Sequence, residues 1–83
     1  MGKKILLVDD DDGLRESLAE QLELHEEFET KGVGTAKEGL DLVKDEYFDV
    51  ILLNVGLPDM DGREACRLMR RGGVKSPIIM LTG

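Results

Sequence analysis

The sequence has a single cysteine, Cys66. That excludes a disulfide framework and a cysteine-based metal site, and it points to a reducing, cytoplasmic setting. Long apolar runs are also missing, and none approaches the roughly 20 residues that span a bilayer. The start, Met1-Gly2-Lys3-Lys4, leads into a short apolar stretch with no small-residue cleavage site, so no signal peptide is expected. Position 6 is Leu rather than Ser or Thr, which excludes a myristoylation signal. Nor is there an excess of positive charge. The 83 residues carry 18 acids against 11 lysines and arginines, a net of −7. This argues against binding nucleic acid or a membrane surface through bulk charge. Internal repeats, low-complexity segments and linkers are absent as well.

With 41% hydrophobic and 35% charged residues, the chain has the make-up of one small globular domain, too apolar and too varied for disorder. A domain of this size buries a modest fraction of its surface, so its stability is expected to be marginal. The charge is unevenly spread. Residues 1–50 hold 15 acids and 6 bases, whereas residues 51–83 hold 3 acids and 5 bases.

Four apolar runs punctuate the chain: Ile5-Leu6-Leu7-Val8, the weaker Phe28 to Val33, Val50-Ile51-Leu52-Leu53, and Ile78-Ile79-Met80-Leu81. The first, third and fourth are short and continuous, as expected of strands buried on both faces of a parallel sheet. The second mixes polar residues between Phe28 and Val33, which suits an edge strand. Between them lie three helical patterns. Leu14, Leu18 and Leu22 recur four apart after a run of aspartates that can supply a cap. Ala36, Leu40, Val43 and Tyr47 form a second stripe, opened by the capping-box sequence Thr35-Ala36-Lys37-Glu38. The third follows Asp61, turns Ala65, Leu68 and Met69 inward, and ends at Gly72-Gly73. The order β-α-β-α-β-α-β predicts an α/β fold, with a parallel sheet and right-handed crossovers.

Ligands of such sheets bind beyond the carboxyl ends of the strands. After the first strand comes Asp9-Asp10-Asp11-Asp12, after the third Asn54-Val55-Gly56-Leu57-Pro58, and after the fourth Thr82-Gly83. Crowded carboxylates repel and lose hydration, and a divalent cation relieves both costs. Carboxylates and a carbonyl suit Mg²⁺. Asp9 and Asp10, on the strand end, are the candidate ligands, while Asp11 and Asp12 are read as a solvated helix start. An EF-hand loop is excluded, because its required glycine would make Val8 the first ligand.

Ile5-Leu6-Leu7-Val8-Asp9-Asp10-Asp11, the stretch from Asp49 to Gly62, and Pro77-Ile78-Ile79-Met80-Leu81-Thr82 together resemble response-regulator receiver domains of two-component signalling, in matching order and distance. The resemblance covers the whole chain. It implies a flavodoxin-like fold, with strand order 2-1-3-4 for the part present. It implies Mg²⁺-dependent transfer of a phosphoryl group from a histidine kinase or phosphotransfer protein to an aspartate. It also implies that Asp9 and Asp10 hold Mg²⁺, that the Gly56 carbonyl completes the metal site, and that Thr82 supplies the switch hydroxyl.

Two departures stand out. Asn54 occupies the phosphoacceptor position and would be the remaining metal ligand. A carboxamide is a far poorer nucleophile than a carboxylate and carries no charge, so the chain as written is not expected to take up phosphate, and Mg²⁺ binding is expected to be weakened or lost. The second departure is length. Against the family, residues 1–83 form a single truncated receiver domain lacking the fourth helix, fifth strand and fifth helix. The fourth strand would then be an exposed edge and one sheet face half uncovered, so self-association by strand pairing, helix exchange or face-to-face packing is expected. An output domain would belong to a longer parent. No nucleic-acid or membrane partner is expected.

Two other functions share parts of this pattern. One is a phosphorylation-independent interaction module, a pseudo-receiver, favoured if Asn54 is native to the full-length protein. The other is a fragment of a haloacid-dehalogenase-like phosphohydrolase, with Asp9 as nucleophile and Asp11 as acid. That family's later lysine and acidic motifs are missing, and the Asn54–Gly62 stretch has no place in it. Arg63, Arg67, Arg70 and Arg71 are read as a solvated stripe rather than a docking face. Cys66 is read as an inert thiol and His25 as a surface residue. Pro58 is expected to stiffen its loop, and Gly62 to permit a tight backbone at the start of the third helix.

Overall fold

The structure is a computed structural model and describes residues 2–81. The elements run β1 (Lys3–Val8), α1 (Asp12–Glu23), β2 (Phe28–Val33), α2 (Ala36–Asp45), β3 (Val50–Asn54), α3 (Gly62–Arg71) and β4 (Ile78–Leu81). All strands pair in parallel, in the order β2-β1-β3-β4, as expected. Among the described residues, no helix is long and apolar enough to cross a membrane.

The pairing register aligns the core. Leu6 lies opposite Ile51 and Val8 opposite Leu53, while Ile51 and Leu53 meet Ile78 and Met80. Leu6, Val8, Ile51 and Leu53 are fully or almost fully buried, and they cluster with Ala36 of α2 and with Ala65 and Met69 of α3. Each such side chain contributes on the order of 1.5–3 kcal/mol on burial. This face of the sheet is therefore covered by α2 and α3.

The opposite face is covered only in part. Ile5 and Leu7 are buried, but α1 packs mainly against β2 and has no fully buried residue. Leu52 is half-buried and Ile79 is 50% exposed. The continuous apolar run predicted β4 to be buried on both faces. Instead β4 is an edge strand with one face partly uncovered, as the comparison of the chain's length with the family suggested, and no helix of the described residues lies over the outer half of that face.

Helix starts follow local chemistry. The Asp11 carboxylate accepts from Leu14 N at 3.0 Å and caps α1. Thr35 Oγ1 accepts from Glu38 N at 3.2 Å and caps α2. Asp61 Oδ1 accepts from Arg63 N at 2.8 Å and caps α3. After α3 the chain turns through Gly73, whose φ of 98° suits glycine alone.

One element boundary departs from the pattern. Tyr47 was expected on the buried stripe of α2, but it is 69% exposed, and Phe48 enters the core instead. The cause is Glu46, which already has extended backbone (φ −132°, ψ 148°), so the helical period ends at Asp45. The Glu46 carboxylate is pinned by Lys4 and Lys31, each at 2.8 Å. Ser76 then closes the turn by donating its hydroxyl to the Phe48 carbonyl at 2.6 Å.

Candidate functional site

The parallel arrangement brings the carboxyl ends of β1 and β3 together. Asp9, just past β1, is 4% exposed. Its Oδ1 accepts from the Asp11 backbone N–H at 2.9 Å. The same oxygen lies 3.5 Å from Nδ2 of Asn54, the last residue of β3. Asn54 Nδ2 lies equally 3.5 Å from the Gly56 carbonyl oxygen. A buried carboxylate, a carboxamide and a backbone carbonyl thus converge on one point. Asp10 is exposed, beside this cluster rather than within its hydrogen bonds. Thr82 lies outside the described residues.

The backbone after Asn54 is held tightly. Val55 N donates to Leu81 O at 3.0 Å, and Gly62 N donates back to Val55 O at 2.8 Å. A Cβ at position 62 would sit 2.1 Å from the Asn54 carbonyl oxygen. The glycine is required by this close approach, as its sequence position suggested, and not by any unusual φ. Asp61, beside it, pairs with Arg63, and that guanidinium holds its carboxyl down to about 2.

Two residues that sequence reasoning did not single out support the site. Arg15 donates Nη1 to the Asp9 carbonyl at 2.6 Å and Nη2 to Asp12 at 2.7 Å. Its stem crosses Gly32 so closely that a Cβ there would lie 2.7 Å from Arg15 Cδ. The Asp12/Arg15 spacing on one helix face was the available signal. Asp59 accepts from Ala36 N and Lys37 N, both at 2.9 Å. No local pattern announces that contact, since it joins positions more than 20 apart.

Of the arginine stripe, Arg63 binds Asp61, Arg67 binds Glu64, and Arg70 donates to the carbonyls of Val74 and Ser76. These internal bonds fit the reading of a solvated face. Cys66 is half-buried, and His25 packs edge-on against Phe28.

The described residues supply part of a donor set for a metal. Asp9 and the Gly56 carbonyl are hard oxygen donors of the kind that suit Mg²⁺. Among the described residues, however, no three His, Cys, Asp or Glu side chains converge, and Asn54 directs a nitrogen, not a charge, toward Asp9. A donor set with a neutral amide in place of a charged oxygen fits a hard cation weakly.

Comparison with known proteins agrees with this geometry. The response regulator receiver domain family matches residues 5–83, and the chain belongs to that family. It is 39% identical over 80 residues to the cell cycle response regulator CtrA of Brucella ovis, covering 96% of this chain and 34% of that protein. The chain thus spans about a third of the length of the curated relatives it matches. Among solved structures, a CheY-like receiver domain protein from Methanospirillum hungatei superposes with a TM-score of 0.87 at 39% identity, covering 100% of this chain and 66% of that one. The non-phosphorylated HemR receiver domain from Leptospira biflexa does so with a TM-score of 0.87 at 32% identity, covering 96% and 64%. Receiver domains of response regulators are in general signalling modules that bind Mg²⁺ at an acidic phosphorylation site.

Proposed function

We propose that this chain is the receiver module of a response regulator in a cytoplasmic histidine-to-aspartate phosphorelay, and that as it stands it does not accept a phosphoryl group. The observation that carries the reading is the place of Asn54: at the end of β3, with its amide between Asp9 and the Gly56 carbonyl. An attacking group at that point must be an anionic oxygen. A carboxamide has delocalised its lone pair and holds no charge, so the nucleophilic step has no agent.

Mg²⁺, if bound, would be held by Asp9, Asp10, Asn54 and the Gly56 carbonyl, and would supply neutralisation of phosphoryl-oxygen charge. The chain's own residues do the rest. Arg15 fixes the Asp9 backbone, and the tight Val55–Gly62 contact presents the Gly56 carbonyl. Thr82 would offer its hydroxyl to the phosphoryl group. A histidine kinase or phosphotransfer protein is the proposed donor, and an output domain the proposed recipient within a longer protein.

The test is labelling by acetyl phosphate with Mg²⁺. No label is expected on the chain as written, and label is expected on Asn54→Asp. Uptake by the unsubstituted chain would refute the role given to Asn54. A second reading, a phosphorylation-independent interaction module, is favoured by the same amide, which satisfies the site's acceptors without a metal or a phosphate. It requires partner binding that neither acetyl phosphate nor Asn54→Asp alters.

We further propose that the 83-residue chain self-associates. β4 has a free outer edge among the described strands, and its Ile79 is half exposed. Sedimentation should give a mass above that of one chain, and a monomer at high micromolar concentration overturns this.

A further inference from the structure

We infer that Asp59 is a positioning residue: its carboxylate ties the loop carrying Gly56 to the first turn of α2, and so holds the Gly56 carbonyl opposite Asp9. The inference rests on the proposed site at the ends of β1 and β3.

The start of α2 leaves backbone N–H groups without helical partners. Thr35 provides for one of them, its Oγ1 accepting from Glu38 N at 3.2 Å, while its carbonyl accepts the first bond of the helix proper from Gly39 N at 3.2 Å. Two more, Ala36 N and Lys37 N, go to the two carboxylate oxygens of Asp59, both at 2.9 Å. The helix is therefore completed by a residue from a different element. The carboxylate also faces the positive end of the helix dipole. These two N–H bonds keep its carboxyl below its ordinary value.

α2 is itself fixed on β1. Ala36 is fully buried, and a Cβ at Gly39 would touch Val8 Cγ2 at 3.0 Å. Val8 immediately precedes Asp9. A closed ring results, running from Asp9 through Val8 to α2, from α2 through Asp59 to the loop, and from Gly56 through Asn54 back to Asp9. The base of the loop is tied by its own backbone, with Leu57 N on Val55 O at 3.1 Å and Gly62 N on Val55 O at 2.8 Å. Its tip is tied by Asp59. A group that only capped α2 would not need to come from this loop.

The comparison of Asp59→Ala, Asp59→Asn and Thr35→Ala separates positioning from capping. Amide hydrogen exchange in the unmodified 83-residue background is the first readout. Asp59→Ala is expected to speed exchange at Leu57 and Gly62 by about tenfold, through local opening of the loop. Asp59→Asn, which keeps one acceptor oxygen, is expected to recover part of the protection. Thr35→Ala removes a cap from the same helix and should speed exchange in α2 only. The second readout is Mg²⁺ affinity in an Asn54→Asp background, expected to fall by about tenfold with Asp59→Ala and to be unchanged with Thr35→Ala. Equal loop exchange in Asp59→Ala and Thr35→Ala would overturn the inference. If Asn54→Asp binds no Mg²⁺ at all, the proposed metal site is wrong, and the exchange comparison still decides the role of Asp59.

Discussion

Asn54 directs its side-chain nitrogen to within 3.5 Å of the buried Asp9 carboxylate. The same nitrogen is 3.5 Å from the Gly56 carbonyl. A neutral donor thus lies where two acceptors meet, and it offers them hydrogen bonds in place of a cation's charge. Long contacts of this kind are weak, but they add no second negative charge, and so no further need for a counter-ion, beside a carboxylate that is almost fully withdrawn from water.

Replacing that donor by a carboxylate should create the need. Asn54→Asp would set two like charges side by side, which costs on the order of 1–2 kcal/mol when both stay ionised. In a chelator, thermal unfolding of Asn54→Asp should fall below that of the parent by about 4–8 °C per kcal/mol lost. Mg²⁺ at ten times its dissociation constant should return about 1.4 kcal/mol. The parent's melting temperature should be nearly indifferent to Mg²⁺. A parent that responds to Mg²⁺ as strongly as the variant would contradict this account of the amide.

Gly62 offers a steric test. An added Cβ would meet backbone atoms, the Asn54 carbonyl oxygen at 2.1 Å and its carbon at 2.9 Å, and backbone cannot swing aside as a side chain can. Gly62→Ala should therefore cost about 3 kcal/mol, at the upper end for overpacking, despite alanine's better helix propensity. Gly32→Ala is the control, since the group it meets is the flexible stem of Arg15. Urea midpoints should separate the two variants clearly.

Acid should release Glu46. Lys31 first and Lys4 second hold its carboxyl down to about 2, from an ordinary 4.5. A carboxyl depressed in the folded state stabilises the fold above its unfolded value and loses that effect as pH falls through the folded one. Its contribution should be complete above about pH 5.5, should begin to fade near pH 4.5 and should be gone by about pH 1. Melting temperatures of the parent and of Glu46→Gln should differ at neutral pH and converge on acidification. A difference that persists unchanged to pH 2 would show that the two lysines are not its cause.

Much of the architecture was readable along the chain, because the forces involved are local. Asp11, Thr35 and Asp61 cap the helices that follow them through contacts two or three residues long. The short apolar runs of β1 and β3 satisfy their backbones and bury their side chains as the inner strands. The misplacement of Tyr47 is instructive for the same reason. Its spacing continued the α2 stripe, but the helix ends where Glu46 meets two lysines from β1 and β2.

Residue types and spacing were enough to define a parallel α/β sheet and to put Asp9, Asn54 and Gly56 at one edge of it, since periodicity and burial act along the chain. Which of those groups touch was decided in three dimensions. Asp9 and Asn54 are 45 positions apart, and Asp59 reaches α2 across 23. Asp10, next to Asp9 in sequence, is exposed where Asp9 is buried. A hydrogen bond depends on distances of a few tenths of an ångström, and only the packed sheet and helices set distances on that scale.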